Sequence, residues 1–186
     1  MSEVAVVQLI GIAVPTLREL RAATLSTRTT PPSGEADAVD SLRQAGYAGG
    51  DAIYEAFEHW LSEASQTGPE SESQPGPAAD LALDDFGDRI AQYFRAAGWG
   101  EVDFAPEQDE VVATLTVENC WEVEPTADQE KPSCHVTTGM FAAFFGRVAG
   151  YPVAVLETEC CSAGTDRCRF LLGNTEVMTF KWEQFA

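Results

Sequence analysis

All 5 cysteines of this chain fall between Cys120 and Cys168. The densest run starts at Cys134, passes through Gly139–Val148 and closes with Glu157-Thr-Glu-Cys160-Cys161-Ser-Ala-Gly164-Thr-Asp-Arg-Cys168-Arg-Phe170. Glu157 and Cys160 are three positions apart, and Cys168 is eight further on. Gly164 lies between the last two, where the chain needs a tight reversal. A knuckle between two strand ends then aims Glu157, Cys160 and Cys168 at one point. Cys134 stands before the helix that precedes this strand, and a helix plus a return strand bring its sulfur back to the same place. Three thiolates and one carboxylate close a four-coordinate set and leave no position for water, which is the structural type of site. Thiolates select Zn²⁺ over hard cations.

Other readings compete for the same residues. Free cysteine is common as a small buried hydrophobe with no metal. An iron–sulfur cluster takes four cysteines as a rule, and Cys161 in place of Glu157 supplies the fourth. Against that, two adjacent cysteines rarely both point inward. Cys120 and Cys161 read as packing residues. His135 beside Cys134 raises a Cys–His catalytic pair, yet sequence neighbours diverge in space and a metal-bound thiolate is a poor nucleophile. Asp84-Asp85 and the many glutamates read as helix-end charges and solvated faces. The sequence shows no glycine-rich phosphate or dinucleotide loop and no G-x-S-x-G elbow, so no catalytic residue is assigned.

The 186 residues, 45% hydrophobic and 10% aromatic, fit one domain with loose segments and an ample core. The formal net charge of -19 repels nucleic-acid phosphates and anionic lipid, so neither is expected as a partner. The longest apolar run, Val4–Val14, is broken by Gln8 and Gly11 and is far short of the ~20 residues of a spanning helix. Met1-Ser2-Glu3 is acidic where a signal peptide starts positive. The expected location is the cytoplasm, where thiols stay reduced and clustered cysteines favour metal over disulfides.

Two stretches, Thr24–Ala36 and Gln66–Pro77, are too polar and too rich in Pro, Ser and Gly to offset the entropy of ordering. The second reads as an interhelical loop. Between them Val39, Leu42, Tyr47, Ile53, Phe57, Trp60 and Leu61 form a helical stripe over Asp37–Ala64. Gly46, Gly49 and Gly50 either weaken its centre or mark close packing. A second helix fits Asp84–Ala97 and stops at Gly98. Alternation over Val111–Glu118 predicts a half-buried strand, with Glu101–Phe104 as its partner across a turn at Pro106–Asp109. Pro125–Pro132 reads as a polar loop. Thr137–Val148 reads as a helix ended by Gly150, and Val153–Leu156 as a strand covered on both faces. Cys168–Leu172 and Val177–Phe180 flank Gly173-Asn174, which predicts a hairpin. Pro15 fits the first turn of a short helix carrying Leu17 and Leu20, which docks on the domain or mediates self-association. The predicted fold is α+β, with N-terminal helices packed on a mainly antiparallel sheet and a helix inserted between strand pairs. Residues 1–36 form a partly flexible N-terminal segment and 37–186 the domain, with a flexible loop at 66–80.

The run Glu157-x-x-Cys160-x-x-x-Gly164-x-x-x-Cys168-x-Phe170 resembles the 4-vinyl reductase domain family. Cys134 stands at the family's matching upstream place, and Gly139-Met-Phe-Ala-Ala-Phe-Phe-Gly146 and Gly150-Tyr-Pro-Val-Ala-Val-Leu-Glu157 are similar to the segments that lead into its knuckle. The resemblance covers Cys120–Leu172, and Ala45-Gly-Tyr-Ala-Gly-Gly50 resembles the family's glycine-marked helix. It implies a ligand-binding fold related to haem–NO-binding sensors and to subunits of the TRAPP trafficking complex. Members include a protein tied to bacteriochlorophyll synthesis and the sensor domains of phenol-responsive activators. In those sensors the residues matching Cys134, Glu157, Cys160 and Cys168 bind zinc, a nearby pocket holds a small aromatic or hydrophobic molecule, and the domains form homodimers.

The leading expectation is a zinc-containing, sensor-like domain for a hydrophobic or aromatic ligand, with a pocket between helices and sheet. Phe57, Trp60, Phe94, Trp121, Phe141, Phe144 and Phe145 are the candidate lining residues, each of which ordinary core packing also explains. The alternatives are an accessory protein or reductase in tetrapyrrole biosynthesis, for which no nicotinamide or flavin motif is present, and a protein-interaction module.

Overall fold

Why a sequence this acidic folds around one site follows from where its apolar residues lie in the computed structural model, which describes residues 14–26, 33–66, 78–107, 112–123 and 131–185. The elements run α1 (Val14–Ser26), α2 (Ser33–Gln66), α3 (Leu83–Ala96), β1 (Glu101–Pro106), β2 (Val112–Glu118), α4 (His135–Ala149), β3 (Val153–Glu159), β4 (Cys168–Asn174) and α5 (Thr175–Phe185). Short 3-10 turns lie at Ala78–Asp80 and Cys161–Ala163. The start of the N-terminal segment, residues 27–32 of the Thr24–Ala36 stretch, most of Gln66–Pro77, the tip of the Pro106–Asp109 turn and most of the Pro125–Pro132 loop lie outside the described residues, while Thr24–Ser26 and Ser33–Ala36, expected to be loose, are helical ends of α1 and α2.

The four strands pair antiparallel throughout, in the order β1-β2-β4-β3. This is the expected α+β fold, with α4 entering the chain between the β1–β2 and β3–β4 pairs. Leu115 faces Phe170 and Val117 faces Cys168 across β2 and β4, and Glu157 faces Phe170 across β3 and β4. Directly opposed residues share a face, so these side chains all point to the side covered by α2, α3 and α4. There they meet Phe57, Phe86, Ile90, Phe94, Phe141 and Phe144, each at most 4% exposed. A fully buried side chain of this kind contributes roughly 2–3 kcal/mol. The rings interlock edge to face, with Phe94 at 5.7 Å from Phe141 and 5.4 Å from Phe144.

The glycines of α2 do mark close packing. An added Cβ at Gly139 would lie 1.9 Å from the carbonyl oxygen of Arg43, and one at Gly46 2.0 Å from that of Val136. Gly50 meets the Cβ of Ala143 in the same way, at 2.5 Å. The backbones of α2 and α4 therefore approach as closely as glycine permits. Gly49 faces open space and is not part of this crossing. Gly98 and Gly150, at φ 78° and 72°, end α3 and α4 as expected.

Two sequence expectations need correction. Gly173-Asn174 is not a hairpin turn: Gly173 pairs with Val112 and Ala154 inside the sheet, and Thr175–Phe185 is helical. The Asn174 side chain accepts a hydrogen bond from the backbone N–H of Val177 at 2.9 Å, which is what an N-capping asparagine does. β2 is also covered at one end on its second face, where Val112 packs with Leu156 and Met178 beneath α5. The N-terminal helix docks on the domain: Leu17 packs against the core, while Leu20 is 58% exposed. Among the described residues no helix is long and apolar enough to cross a membrane.

Candidate metal centre

A regular strand places residues three apart on opposite faces, so Glu157 and Cys160 need a device to converge. The register supplies it. Glu157 pairs with Phe170 while Glu159 pairs with Arg169, so Thr158 is one residue in excess. Such a bulge reverses the inward–outward parity of everything after it. Glu157 keeps the helix-covered face, and Cys160 is returned to it. The chain then reverses through Cys161–Ala163 and Gly164, whose φ is 89°. The N–H groups of Ala163 and Thr165 both donate to the Cys160 carbonyl, at 2.9 and 3.4 Å. Cys168 opens β4 directly beside Cys160. Cys134 arrives from the other layer as the residue that precedes α4.

The four predicted donors are thus brought together. Cys134 Sγ lies 3.7 Å from Cys160 Sγ and 3.7 Å from Cys168 Sγ, and Cys160 and Cys168 are 3.9 Å apart. The ligand atoms of Cys134, Glu157, Cys160 and Cys168 all lie within 4.8 Å of one another. Glu157 accepts a hydrogen bond from the Cys134 N–H at 2.8 Å through Oε2. Its Oε1 is buried and has no partner, an arrangement that disfavours an ion-free site because an unsatisfied buried acceptor is costly. This buried three-cysteine, one-glutamate cluster can bind a metal ion, and its free carboxylate oxygen has the ligand's position.

The electrostatics agree. Burial, then the adjacent Cys160 thiolate, push Glu157 up to about 9. Cys134 is held well above the usual thiol range by hydrogen bonds among the neighbouring thiols and by burial. Cys160 is held well below the usual thiol range, because Cys134 and Cys168, and then the Ser162 hydroxyl at 2.9 Å, stabilise its thiolate. A cation at the centre removes the conflict by stabilising every donor in its anionic form. His135 points into a half-buried setting where burial, then Arg43 and Arg21, lower it to about 4. Its imidazole is neutral and no hydrogen bond joins it to Cys134 Sγ among the described contacts.

Three residues of the surroundings were not legible beforehand. Glu122, 1% exposed, caps α4 by accepting from the N–H groups of Val136 and Thr137 at 3.0 and 2.9 Å. Ser133 and Ser162 join their hydroxyls at 2.7 Å behind Cys160. No spacing rule links Glu122 to α4, because the intervening segment sets the distance. Glu122 is in turn met by Arg21 of α1 at 3.1 Å, and the same guanidinium donates to the Ser133 carbonyl at 2.6 Å.

The seven candidate lining residues occupy different places. Phe57, Phe94, Phe141 and Phe144 are buried in the ring cluster, and Trp60 stacks on Phe57 at its edge. Trp121 is buried beside Trp99 with its indole N–H unpartnered. Phe145 lines a cleft of about 340 Å³ between α3, the end of α4 and the sheet. The other apolar walls of this cleft include Leu81, Phe86, Phe104, Val148 and Leu172. A second, shallower groove of about 280 Å³ runs between α5 and β3.

A family model, that of the V4R domain, matches residues 113–174, the span that carries β2, α4, β3, β4 and all four donors. No curated protein matches the chain. Among solved structures, the chain is similar to the phenol-responsive sensory domain of the transcription activator PoxR with phenol, at 14% identity and TM-score 0.61, over 94% of this chain and 82% of that one. It is similar also to a trafficking protein particle complex subunit 3 from Naegleria fowleri covalently bound to palmitic acid, at 13% identity and TM-score 0.59, over 86% and 93%. A vinyl-4-reductase family protein from Methanocaldococcus jannaschii aligns at 14% identity over 89% and 96%, with TM-score 0.39. The first two likenesses, at these identities, are of fold alone. The span that matches the V4R domain model is thus the one in which Cys134, Glu157, Cys160 and Cys168 converge in space.

Proposed function

We propose that this chain is a zinc-stapled, sensor-like domain that binds a small hydrophobic or aromatic molecule in the cytoplasm. The carrying observation is the division of labour along α4. Cys134 anchors its N-terminal end to the metal ligands of β3 and β4, while Phe145 and Val148, near its other end, wall the apolar cleft. A staple at one end holds the helix whose far end shapes the ligand site. The cleft of about 340 Å³ falls at the small end of ligand sites, which favours a phenol-sized molecule over a tetrapyrrole. Two solved structures of similar fold carry small apolar molecules, phenol in one and palmitic acid in the other. Phe145 is the ligand contact of this reading, with Phe57, Trp60, Phe94, Phe141 and Phe144 as the rigid support behind it. Trp121 lies beyond the other end of β2, against Trp99, and is not a wall of this cleft.

Zinc is the ion that suits the donors. Thiolates at ~2.3 Å from one tetrahedral ion lie ~3.8 Å apart, and the three sulfur separations of 3.7, 3.7 and 3.9 Å fall at that value. The test is titration of zinc-loaded protein with phenol, indole and palmitate, followed by backbone amide shifts. Saturable shifts at the cleft that vanish in Val148→Trp, with zinc retained, support the reading. Wild-type protein that binds none of the three probes overturns it.

A protein-interaction role draws on one feature, the exposed Phe180 and Trp182 of α5. A stable complex with a partner or a second copy that survives Val148→Trp and is lost in Trp182→Ala would favour that role.

A further inference from the structure

The donor set leaves two cysteines over, the half-buried Cys161 and the buried Cys120. Cys120 follows β2 and is 3% exposed. Its Sγ lies 3.9 Å from Cys134 Sγ, the same separation as between Cys160 and Cys168 within the donor set. It also interacts with Cys168 and lies 3.9 Å from the Thr137 hydroxyl. The backbone is bent to put it there: Asn119, at φ 54°, is the single non-glycine residue at positive φ among the described residues. Asparagine tolerates that conformation better than most, and the bend turns the chain off the end of β2 so that the next side chain faces inward.

Four sulfurs therefore share one buried space. The separations for the pairs 120–134, 134–160, 134–168 and 160–168 are 3.9, 3.7, 3.7 and 3.9 Å. These are four of the six edges of a four-thiolate tetrahedron, each near the ~3.8 Å that such an edge spans around a small ion; Cys120 touches the set through Cys134 and stands just outside the group whose ligand atoms all lie within 4.8 Å of one another. Cys120 and Glu157 thus compete for one coordination position, a soft donor against a hard one. Glu157 has the first claim on zinc, because its buried Oε1 has no other partner and zinc, a borderline ion, takes a carboxylate oxygen alongside thiolates. A softer ion reverses the preference, since thiolate binds it far better than carboxylate.

We propose that Cys120 is a fifth donor of this centre, replacing Glu157 when the bound ion is softer than zinc, so that the site passes from three thiolates and a carboxylate to four thiolates. Cys120 gives up its thiol proton on binding, as every thiolate ligand does. This rests on the metal-centre reading above, and the experiment separates the two.

The full-length chain is loaded with Zn²⁺ or with Cd²⁺, and X-ray absorption counts the sulfurs around each ion. The expected result is three sulfurs and one oxygen with zinc and four sulfurs with cadmium. Cys120→Ala lowers the thiolate-to-cadmium charge-transfer band by about a quarter, one ligand of four, and leaves one zinc per chain. Three sulfurs around cadmium in the wild type, or an unchanged band in Cys120→Ala, overturns the fifth donor while leaving the centre intact. Should the variant fail to fold, the wild-type sulfur count decides alone. A wild type that takes up neither ion overturns the metal centre, and the role of Cys120 with it.

Discussion

Glu157 gives one carboxylate oxygen to the backbone N–H of Cys134, 2.8 Å away, and keeps the other buried without a partner. One ligand thus fixes the backbone of another, and the orientation of both is set before an ion arrives. Glu157→Gln keeps the hydrogen bond to Cys134 but loses the charge that the ion needs. Its zinc affinity falls at least about tenfold in competition with a chelator, while the folded structure at saturating zinc is unchanged. Equal affinity in the two proteins would remove Glu157 from the site.

The crossing of α2 and α4 tolerates no Cβ at Gly139 or Gly46, where the blocking atoms are backbone carbonyls. Gly139→Ala forces the helices apart and costs more than about 2 kcal/mol. Gly49→Ala, in α2 with Gly46 but facing open space, gains about 0.5–1 kcal/mol from the lower entropy of the unfolded chain. Denaturant midpoints of the two variants should move in opposite directions.

Arg21 reaches from α1 to Glu122, whose side chain is fully buried. Arg21→Ala leaves that carboxylate with its two backbone donors and no counter-charge. A buried pair broken at one partner typically costs about 3–5 kcal/mol, and the two remaining N–H bonds place this case at the lower end. Hydrogen exchange in α1 accelerates sharply, because its other polar anchor in this region is Arg18 on the Trp121 carbonyl. Zinc content stays at one per chain, since no ligand is touched.

Tyr54 donates its phenol to Glu58, which also accepts the N–H of Ala78. Burial first, then the Glu58 hydrogen bond and its charge, raise the phenol to about 12 against an opposing contribution from Arg147. The folded chain holds this proton to higher pH than the unfolded one, so its stabilisation is complete below about pH 10 and is lost as pH rises toward 12. An ultraviolet phenolate titration should show a tyrosine titrating near pH 12 that moves toward 10 in Glu58→Gln. A titration curve identical in the two proteins would remove Glu58 as a cause.

How far the sequence carried these conclusions differs by element. The convergence of Cys134, Glu157, Cys160 and Cys168 was legible because thiolates are chemically rare and their spacing fixes a knuckle; the Thr158 bulge that makes Glu157 and Cys160 converge was not, since bulges leave no periodic trace. The helical stripe of α2 followed from i, i+3, i+4 patterning, which left open whether its glycines weaken the helix or mark close packing; Gly46 and Gly50 pack closely and Gly49 does not. The Gly173-Asn174 pair misled because the same two residues that favour a hairpin also end a strand and cap a helix, and only the sheet register decides between them. Cys120 read as packing because it lies outside the Cys134–Cys168 run; its place beside Cys134 depends on the backbone bend at Asn119. Glu122 was silent for a similar reason, its role being set by a contact across layers.

The most direct test of the zinc-stapled reading is native mass spectrometry of the chain purified without added metal or chelator. The account predicts a mass excess of one zinc per chain, lost in Cys168→Ser together with about 3 kcal/mol of stability, a fall in Tm of roughly 6–12 °C. A folded wild-type chain that carries no metal, with Cys168→Ser melting at the same temperature, would contradict it.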